Sequence, residues 1–527
     1  MTVPAGRVPG PGARGGEPAS GAAGSGAAGS GGGPRPREAG QTAGARAVAR
    51  ALTGVLPAEA ILTDPARLRT YDCDGLSHLR VTPGLVVLPE TTAQVRAAVL
   101  ACAEAGVPFV ARGAGTGLSG GALPVADGVV IALTRMRRIL RVDPADKVAV
   151  VQPGVVNTEI SAAARPYGLY FAPDPSSQTV CTIGGNVAEN SGGAHCLKHG
   201  FTVNHVLAAT VVLPTGEVVE LGSQAPDPVG YDLLGVFVGA EGTLGIATEI
   251  TVRLTRAPLA VETLLAGFPG VEPAAATVSA IVAAGVVPAA AELMDALAVE
   301  AAEAAVGCGY PPGAGAVLLV ELDGPRAEVA GALAEVEELC RRHGAFDLRR
   351  ARDESERAAL WRGRKSAFAA VGRISPDYYV QDGVVPRTVL PEALLRIGAL
   401  AERAGLRVAN VFHAGDGNLH PLVLFDAAVP GAAEAAERLA GRILGVCLDL
   451  GGSITGEHGV GVEKMAYLAH QFSRDDLDVM QFLRCAFDPA ALANPGKLFP
   501  TPRLCGEPPG PRRGAHPLQD AGLAELY

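Results

Sequence analysis

Aromatic residues make up only 4% of this 527-residue chain, and it carries a single tryptophan, Trp361. So few flat side chains argue against a platform for stacking nucleic-acid bases. Cations are also in the minority: 44 Lys and Arg against 54 Asp and Glu give a net charge of −10, the wrong sign for gripping a phosphate backbone. The nine cysteines, at 73, 102, 181, 196, 308, 340, 447, 485 and 505, include no C-x-x-C pair. That spacing excludes a zinc ribbon or ferredoxin-type cluster held within this chain. An odd, scattered set predicts reduced thiols in a cytoplasmic protein. No run approaches the ~18 apolar residues of a membrane-spanning helix. The N-terminus lacks the hydrophobic stretch of a secretory signal and has no twin-arginine pair.

A hydrophobic fraction of 48% with 19% charged residues suits a large buried core, and the length predicts more than one domain. Residues 1–43 are Gly/Ala/Pro/Arg-rich, and the first aromatic is Tyr71. Such a segment cannot offset its ordering entropy and is expected to be disordered. Residues 44–64 read as helical, 44–80 forming an N-terminal segment. Leu85–Pro89 then reads as a strand, Thr92–Ala105 as a helix and Pro108–Ala111 as a strand, an α/β unit. Short β-branched strands are predicted at 129–133, 139–143 and 148–151, a helix at 156–167, and a hairpin over 206–221. A break at 255–259 separates this half from a second one. There, Ala-rich helices (273–284, 291–305, 325–343, 390–404, 432–450) alternate with strands at 317–321, 407–412 and 422–425, which predicts α+β with a helix-flanked antiparallel sheet. The tail after Pro500 is Pro/Gly/Arg-rich and reads as loose.

Three glycine clusters punctuate the first half. Pro108–Pro124 carries Gly113, Gly115, Gly117, Gly120 and Gly121 behind an apolar run, with Arg112 at its lip and no acidic side chain. Glycine lets successive N–H groups converge on an anion, so a phosphate or pyrophosphate is the natural guest. Residues 173–193, dense in small, amide and hydroxyl side chains, read as a loop and tight helix start packed on a ligand. Residues 239–247 form the third cluster. Gly115–Gly120 matches G-x-G-x-x-G numerically, but no helix follows and no acidic residue stands ~20 positions on, which disfavours a dinucleotide Rossmann unit.

In the second half, apolar runs flank Asp416-Gly417, a two-residue hairpin signal. That register sets His413 opposite His420 with Cβ atoms about 4.5–5.5 Å apart, a workable spacing for one metal ion. Glu457 and His458, set among five glycines over 451–461, supply a third ligand and a free imidazole suited to act as a base. Arg364, within Trp361–Lys365, is the candidate for holding a carboxylate. Two readings follow from the residues alone. One is an oxidoreductase with a phosphate-bearing cofactor and a metal-assisted site; the other is a metallohydrolase whose glycine loops bind a nucleotide-like molecule.

Together, Arg112–Pro124, Pro173–Gly193, Gly239–Gly245, His413–His420, Glu457–Gly461 and Asn494–Lys497 resemble the FAD-linked oxidase family related to vanillyl-alcohol oxidase and p-cresol methylhydroxylase. The likeness runs from about Tyr71 to Pro500 and includes Tyr71-Asp-Cys-Asp-Gly-Leu-Ser and Ile374-Ser-Pro-Asp-Tyr-Tyr. It implies an α+β, two-subdomain FAD-binding domain over 81–258 and a cap domain over 259–500. It implies FAD contacts at Arg112, Gly113, Gly115, Thr116, Gly117 and Gly121, then at Pro173, Gly185, Asn186, Gly193 and Ile246, with Asn418 and Asn494 from the cap. A divalent metal, Zn or Mn, is implied on His413, His420 and Glu457, with His458 as base and Arg364 on the substrate carboxylate. The lysine that some relatives place in the substrate pocket has no counterpart in Tyr379-Val-Gln-Asp382, which fits a small substrate. No histidine stands in a context for covalent flavin attachment, so dissociable FAD is expected. The resemblance implies oxidation of a small 2-hydroxy acid, glycolate to glyoxylate, with D-lactate to pyruvate as the alternative. It also implies partners: a second FAD-type subunit and an iron–sulfur subunit, through which the chain would meet the inner face of the membrane.

Overall fold

The structure is a computed structural model, and it describes residues 42–225 and 230–499. The loose tail expected over 501–527 lies outside the described residues, as does all but the end of the low-complexity segment expected over 1–43.

Local signals set the first layer. Thr91 Oγ1 accepts the Gln94 N–H at 3.2 Å and starts the helix Thr92–Ala105, and Gly106, at φ 61°, ends it. That helix covers a four-stranded sheet in the order 61–62, 85–87, 129–132, 109–112, whose last three strands run parallel. Parallel strands buried on both faces read as unbroken apolar runs, as Val129–Ala132 does. The strand Phe109–Arg112 delivers the first glycine loop from the carboxyl end of this sheet. A second, antiparallel sheet of five strands follows in the order 139–143, 148–151, 246–253, 206–212, 218–222. The stretch expected to be helical over 44–64 is a helix only over Ala43–Ala51. Gly54 at φ 85° and Pro57 redirect the chain to the short strand Ile61–Leu62.

The second half is the expected helix-flanked antiparallel sheet. Its eight strands run 347–350, 260–268, 316–324, 290–295, 407–413, 418–425 and 377–380, with 383–384 pairing beside Leu419. Alternation divides its two faces. Leu264, Phe268, Leu318, Val320, Phe412 and Val423 pack under helices 271–283, 326–342, 390–404 and 432–449. Leu265, Met294, Val317, Val411 and Leu422 pack on the other face with helices 296–306 and 354–371.

One element departs from expectation. Residues 291–305, read as one Ala-rich helix, are the strand Ala290–Asp295 followed by the helix Ala296–Val306, with Asp295 capping through the Ala298 N–H at 2.9 Å. Alanine's helix propensity is weak beside burial between two strands and two helix layers. Seven cysteines among the described residues are free, as expected of reduced thiols.

The sheet's central side chains set the cap's stability. Phe268 is fully buried, and Phe268→Ala should cost about 3–5 kcal/mol, read as a lower denaturant midpoint for the cap. An unchanged midpoint would count against this core assignment.

Candidate active site

A cavity of about 750 Å³ lies between the two halves, walled by glycine-rich backbone at one end and by His420, Glu457 and His458 at the other. Of the residues expected to touch the cofactor, Arg112, Gly113, Gly115, Thr116, Gly117 and Gly121 line it, as do Gly185 and Asn186 on the helix Ile183–Glu189. Arg112 shapes the loop: its Nη1 donates to the carbonyls of Cys73 at 2.7 Å and Ala122 at 3.4 Å. Gly115 is at φ 72°, and a Cβ there would collide with that guanidinium, so only glycine fits. Five expected contacts stand behind the wall rather than on it. The Pro173 carbonyl accepts from Asn157 Nδ2 at 3.1 Å, Gly193 backs onto Asp174, and Ile246 is core. Asn494 Nδ2 donates to the carbonyls of Gly121 at 2.9 Å and Glu241 at 2.7 Å. Asn418 is buried against Gly456.

The cavity suits FAD. Its volume falls in the range of cofactor sites, and a Cβ on Gly117 would meet open space. Buried polar atoms along it, Thr182 Oγ1 and Glu189 Oε2, lack a partner within the protein.

At the other end, sheet alternation gathers the polar groups. Glu292, His413 and His420 come from three successive strands and face the helix 354–371 that carries Arg364. The hairpin register differs from the expected one: His413 pairs with Asn418, and His420 with Val411, around a four-residue turn. The two histidines are diagonal neighbours on one face rather than directly opposed. Their ring centroids are 5.2 Å apart at 89°.

His413 Nε2 and His420 Nε2 each lie 3.2 Å from Glu457 Oε1, and the ligand atoms of the three residues fall within 4.8 Å of one another. The ring nitrogens at this point have no hydrogen bond of good geometry, so these short approaches are convergence on a common point rather than satisfied pairs. Behind them, both Glu292 oxygens lie 2.9 Å from His413 Nδ1, and Arg364 Nη2 pairs with Glu292 at 2.6 Å. A carboxylate behind a ligating imidazole fixes its tautomer. Arg364, expected to hold a substrate carboxylate, is thus engaged by Glu292, is almost wholly buried and is not on the cavity wall.

Asp382 organises the loop with Glu457 and His458. Its carboxylate accepts from the N–H groups of Gly456 (3.0 Å), Glu457 (3.1 Å) and His458 (2.8 Å), from Thr455 Oγ1 (2.7 Å) and from Lys464 Nζ (3.2 Å). Burial opposes its ionisation, but Lys464 and the imidazoles hold its pKa well below the usual carboxylate range. Burial likewise opposes ionisation of Glu292 and Glu457, and their cationic neighbours outweigh it, holding both low. Burial pushes His458 down to about 4, which leaves a neutral imidazole at neutral pH, stacked 5.0 Å from His420. Burial also opposes a charge on His413, yet Glu292 and Glu457 raise its pKa well above the ordinary value. The carboxylates that favour a proton there favour a divalent cation in its place.

Sequence reasoning did not single out Glu292, Asp382, Glu189 or Glu241. A signal existed for Glu241, inside the third glycine cluster, whose carboxylate accepts the Val460 and Gly461 N–H groups at 2.7 Å each.

Both halves of the chain match known protein families. Residues 83–222 match the FAD binding domain family, and 257–498 match the FAD linked oxidases C-terminal domain family. The chain is 50% identical to the glycolate oxidase subunit GlcD of Escherichia coli (strain K12), over 87% of this chain and 92% of that protein. It is 34% identical to a D-lactate dehydrogenase of Anaerostipes hadrus, over 80% and 90% of the two. The structure of p-cresol methylhydroxylase with substrate bound shares the fold, with a TM-score of 0.73 at 16% identity, over 87% of this chain and 98% of that one. Among the described residues no helix is long and apolar enough to cross a membrane. With its glycine-lined cofactor cavity and its matches over both halves, the chain belongs to the FAD-linked oxidases, a family of FAD-dependent oxidoreductases.

Proposed function

We propose that this chain oxidises glycolate to glyoxylate as the FAD-bearing subunit of a multi-subunit complex. The observation that carries the reading is one cavity joining a glycine-rich dinucleotide cradle to a neutral imidazole beside a His-His-Glu set. The names of the relatives support the substrate, and D-lactate to pyruvate is the second reading because a D-lactate dehydrogenase is among them.

In the reaction one C–H and one O–H bond of the substrate break and a C=O bond forms. Bound FAD, held non-covalently, supplies the two-electron acceptor for the hydride. The proposed cofactor contacts are the loop Arg112–Gly121, Gly185 and Asn186, with Pro173, Gly193, Ile246, Asn418 and Asn494 supporting them from behind. His458 takes the hydroxyl proton, which its depressed pKa leaves it free to accept. His413, His420 and Glu457 would hold a divalent ion, Zn or Mn, whose contribution is to polarise and orient the hydroxyl oxygen. Glu292 keeps His413 aimed, and Arg364 balances Glu292. Electrons then leave through partners, for which a second FAD-type subunit and an iron–sulfur subunit are proposed. The complex would sit on the cytoplasmic side of the membrane, attached through those partners. The word subunit in the relatives' names supports an assembly.

Anaerobic mixing with glycolate, D-lactate and D-2-hydroxyglutarate tests the substrate directly. Flavin absorbance should bleach fastest with glycolate, and faster bleaching by D-lactate would favour the second reading. His458→Ala should slow flavin reduction by about 10²–10⁴-fold while FAD stays bound. In the unsubstituted protein the reduction rate should hold steady from neutral pH downward and fall only as pH approaches 4, where His458 gains its proton. A fall centred near the ordinary histidine value would refute the assigned base. Glu292→Gln should weaken divalent-metal binding about 10–100-fold in a chelator competition. Equal affinities would remove Glu292 from the ligand support.

A further inference from the structure

The wall of the cofactor cavity carries two acids side by side. Glu189, the last residue of the helix Ile183–Glu189, and Glu241 both line it. A Cβ added to Gly459 would lie 2.3 Å from Glu189 Oε2 and 3.0 Å from Glu241 Oε1, so one small gap separates the two carboxyls. Their surroundings differ. Each oxygen of Glu241 accepts a main-chain N–H at 2.7 Å, from Val460 and from Gly461. Glu189 Oε2 is buried and has no hydrogen-bond partner within the protein.

The neighbouring charges are spoken for. The Lys497 ammonium donates to the carbonyls of Gly121 at 3.3 Å and Leu123 at 2.7 Å, and to Asn494 Oδ1 at 2.9 Å. Lys464 donates to Asp382. Asp74, a further acid, accepts the N–H groups of Leu76 and Ala122. When two carboxyls share a site, the one without donors takes the proton. Burial, and then the charges of Glu241 and Asp74, push Glu189 well above the ordinary carboxylate range, and Lys497 and Lys464 offset this only in part. Burial raises Glu241 as well, but its two N–H donors pull it back. Glu189 is thus a neutral acid with a proton to donate, and the protein offers that proton no acceptor.

Its position says what the acceptor is. Glu189 Oε1 packs on the cofactor loop, where a Cβ on Gly121 would come within 2.4 Å of it, and Oε2 faces Gly459, next in sequence to His458. The ring that accepts hydride has to reach the base, so it lies at this end of the cavity and the phosphates lie farther along the glycine loop. We propose that the Glu189 carboxyl donates a hydrogen bond to the isoalloxazine ring of bound FAD and so favours its reduced form. Reduction adds negative charge to the ring, and a hydrogen bond to a charged acceptor is roughly twice as strong as one to a neutral acceptor. An ionised Glu189 would instead repel that charge. The placement of the ring rests on His458 as the base.

The FAD-loaded protein with Glu189→Leu and with Glu189→Gln tests this, reduced by dithionite against a reference dye so that no substrate is needed. E189L should bind reduced FAD about tenfold more weakly relative to oxidised FAD, a two-electron midpoint lower by about 30 mV. E189Q keeps a neutral donor of the same shape and should recover most of that shift. The infrared difference spectrum between the reduced and oxidised forms should contain a protonated-carboxyl C=O band that is lost in E189Q, a readout that stands even where E189L does not fold. An unchanged midpoint in E189L, absence of that band, or a raised midpoint in E189Q, the mark of an ionised carboxylate removed, overturns the proposal. Weaker FAD binding in E189L with an unchanged midpoint places the contact away from the ring and overturns it too. If H458A leaves reduction by glycolate unaltered while E189L lowers the midpoint, the base assignment fails and the Glu189 contact stands.

Discussion

One buried carboxylate, that of Asp382, holds the reactive end of this protein together. Three consecutive backbone N–H groups, a hydroxyl and the fully buried ammonium of Lys464 all donate to it. A glycine-rich loop such as 451–461 has little side-chain bulk to hold its shape, and each of its N–H groups needs an acceptor once water is gone. Asp382 supplies acceptors for residues 456–458 at once and so fixes the directions of Glu457 and His458. Lys464 is the condition for this. Taking either ion out of water costs several kcal/mol, and their attraction offsets that only because the remaining lone pairs are filled by hydrogen bonds.

The same device recurs across the join between the two halves. Glu241 belongs to the FAD-binding half, yet its carboxylate accepts the N–H groups of Val460 and Gly461 in the cap. Gly459, between the two carboxylate-held segments, is at φ 85°, and a Cβ there would collide with Glu189 and stand 3.0 Å from Glu241. Asn494 closes the arrangement by donating to the carbonyls of both Gly121 and Glu241. The cofactor loop and the loop of the proposed base are therefore tied to one another by hydrogen bonds between side chains and main chain. A shift in either loop would break bonds that neither could replace from solvent.

How much of this was legible in the sequence depended on the range of the signal. The glycine loop at 113–121 announced itself by composition, because an anion cradle needs local backbone freedom. His413, His420, Glu457 and His458 stood out as polar groups in apolar or glycine-rich surroundings. Glu292 did not, because it lies in an Ala-rich stretch whose propensity points to a helix, and only pairing with strands 316–324 and 407–413 makes it a strand. The diagonal placement of His413 and His420 was hidden as well. Asp416 Oδ1 accepts the Asn418 N–H at 3.1 Å within a four-residue turn, whereas the sequence suggested two residues. The use of Arg364 was the least legible, since its partner, Glu292, lies 72 residues upstream.

Charge accounts for why these particular groups sit together. Glu292, Asp382 and Glu457 bring three negative charges, and Arg364 and Lys464 bring two positive ones. With neutral imidazoles this set is one charge short of balance, and the shortfall falls where Glu457, His413 and His420 converge. Each fixed cation neutralises a carboxylate that supports a neighbour rather than the one at the convergence point: Arg364 serves Glu292, and Lys464 serves Asp382. Glu457 is left facing two imidazoles, an environment that would suit the proposed divalent ion. His458, displaced by one residue and stacked on His420, is kept neutral by its burial. On the proposed reading, a site that concentrates negative charge on one side chain and withholds positive charge from the next would hold a cation and accept a proton side by side, because the two tasks would fall to different residues.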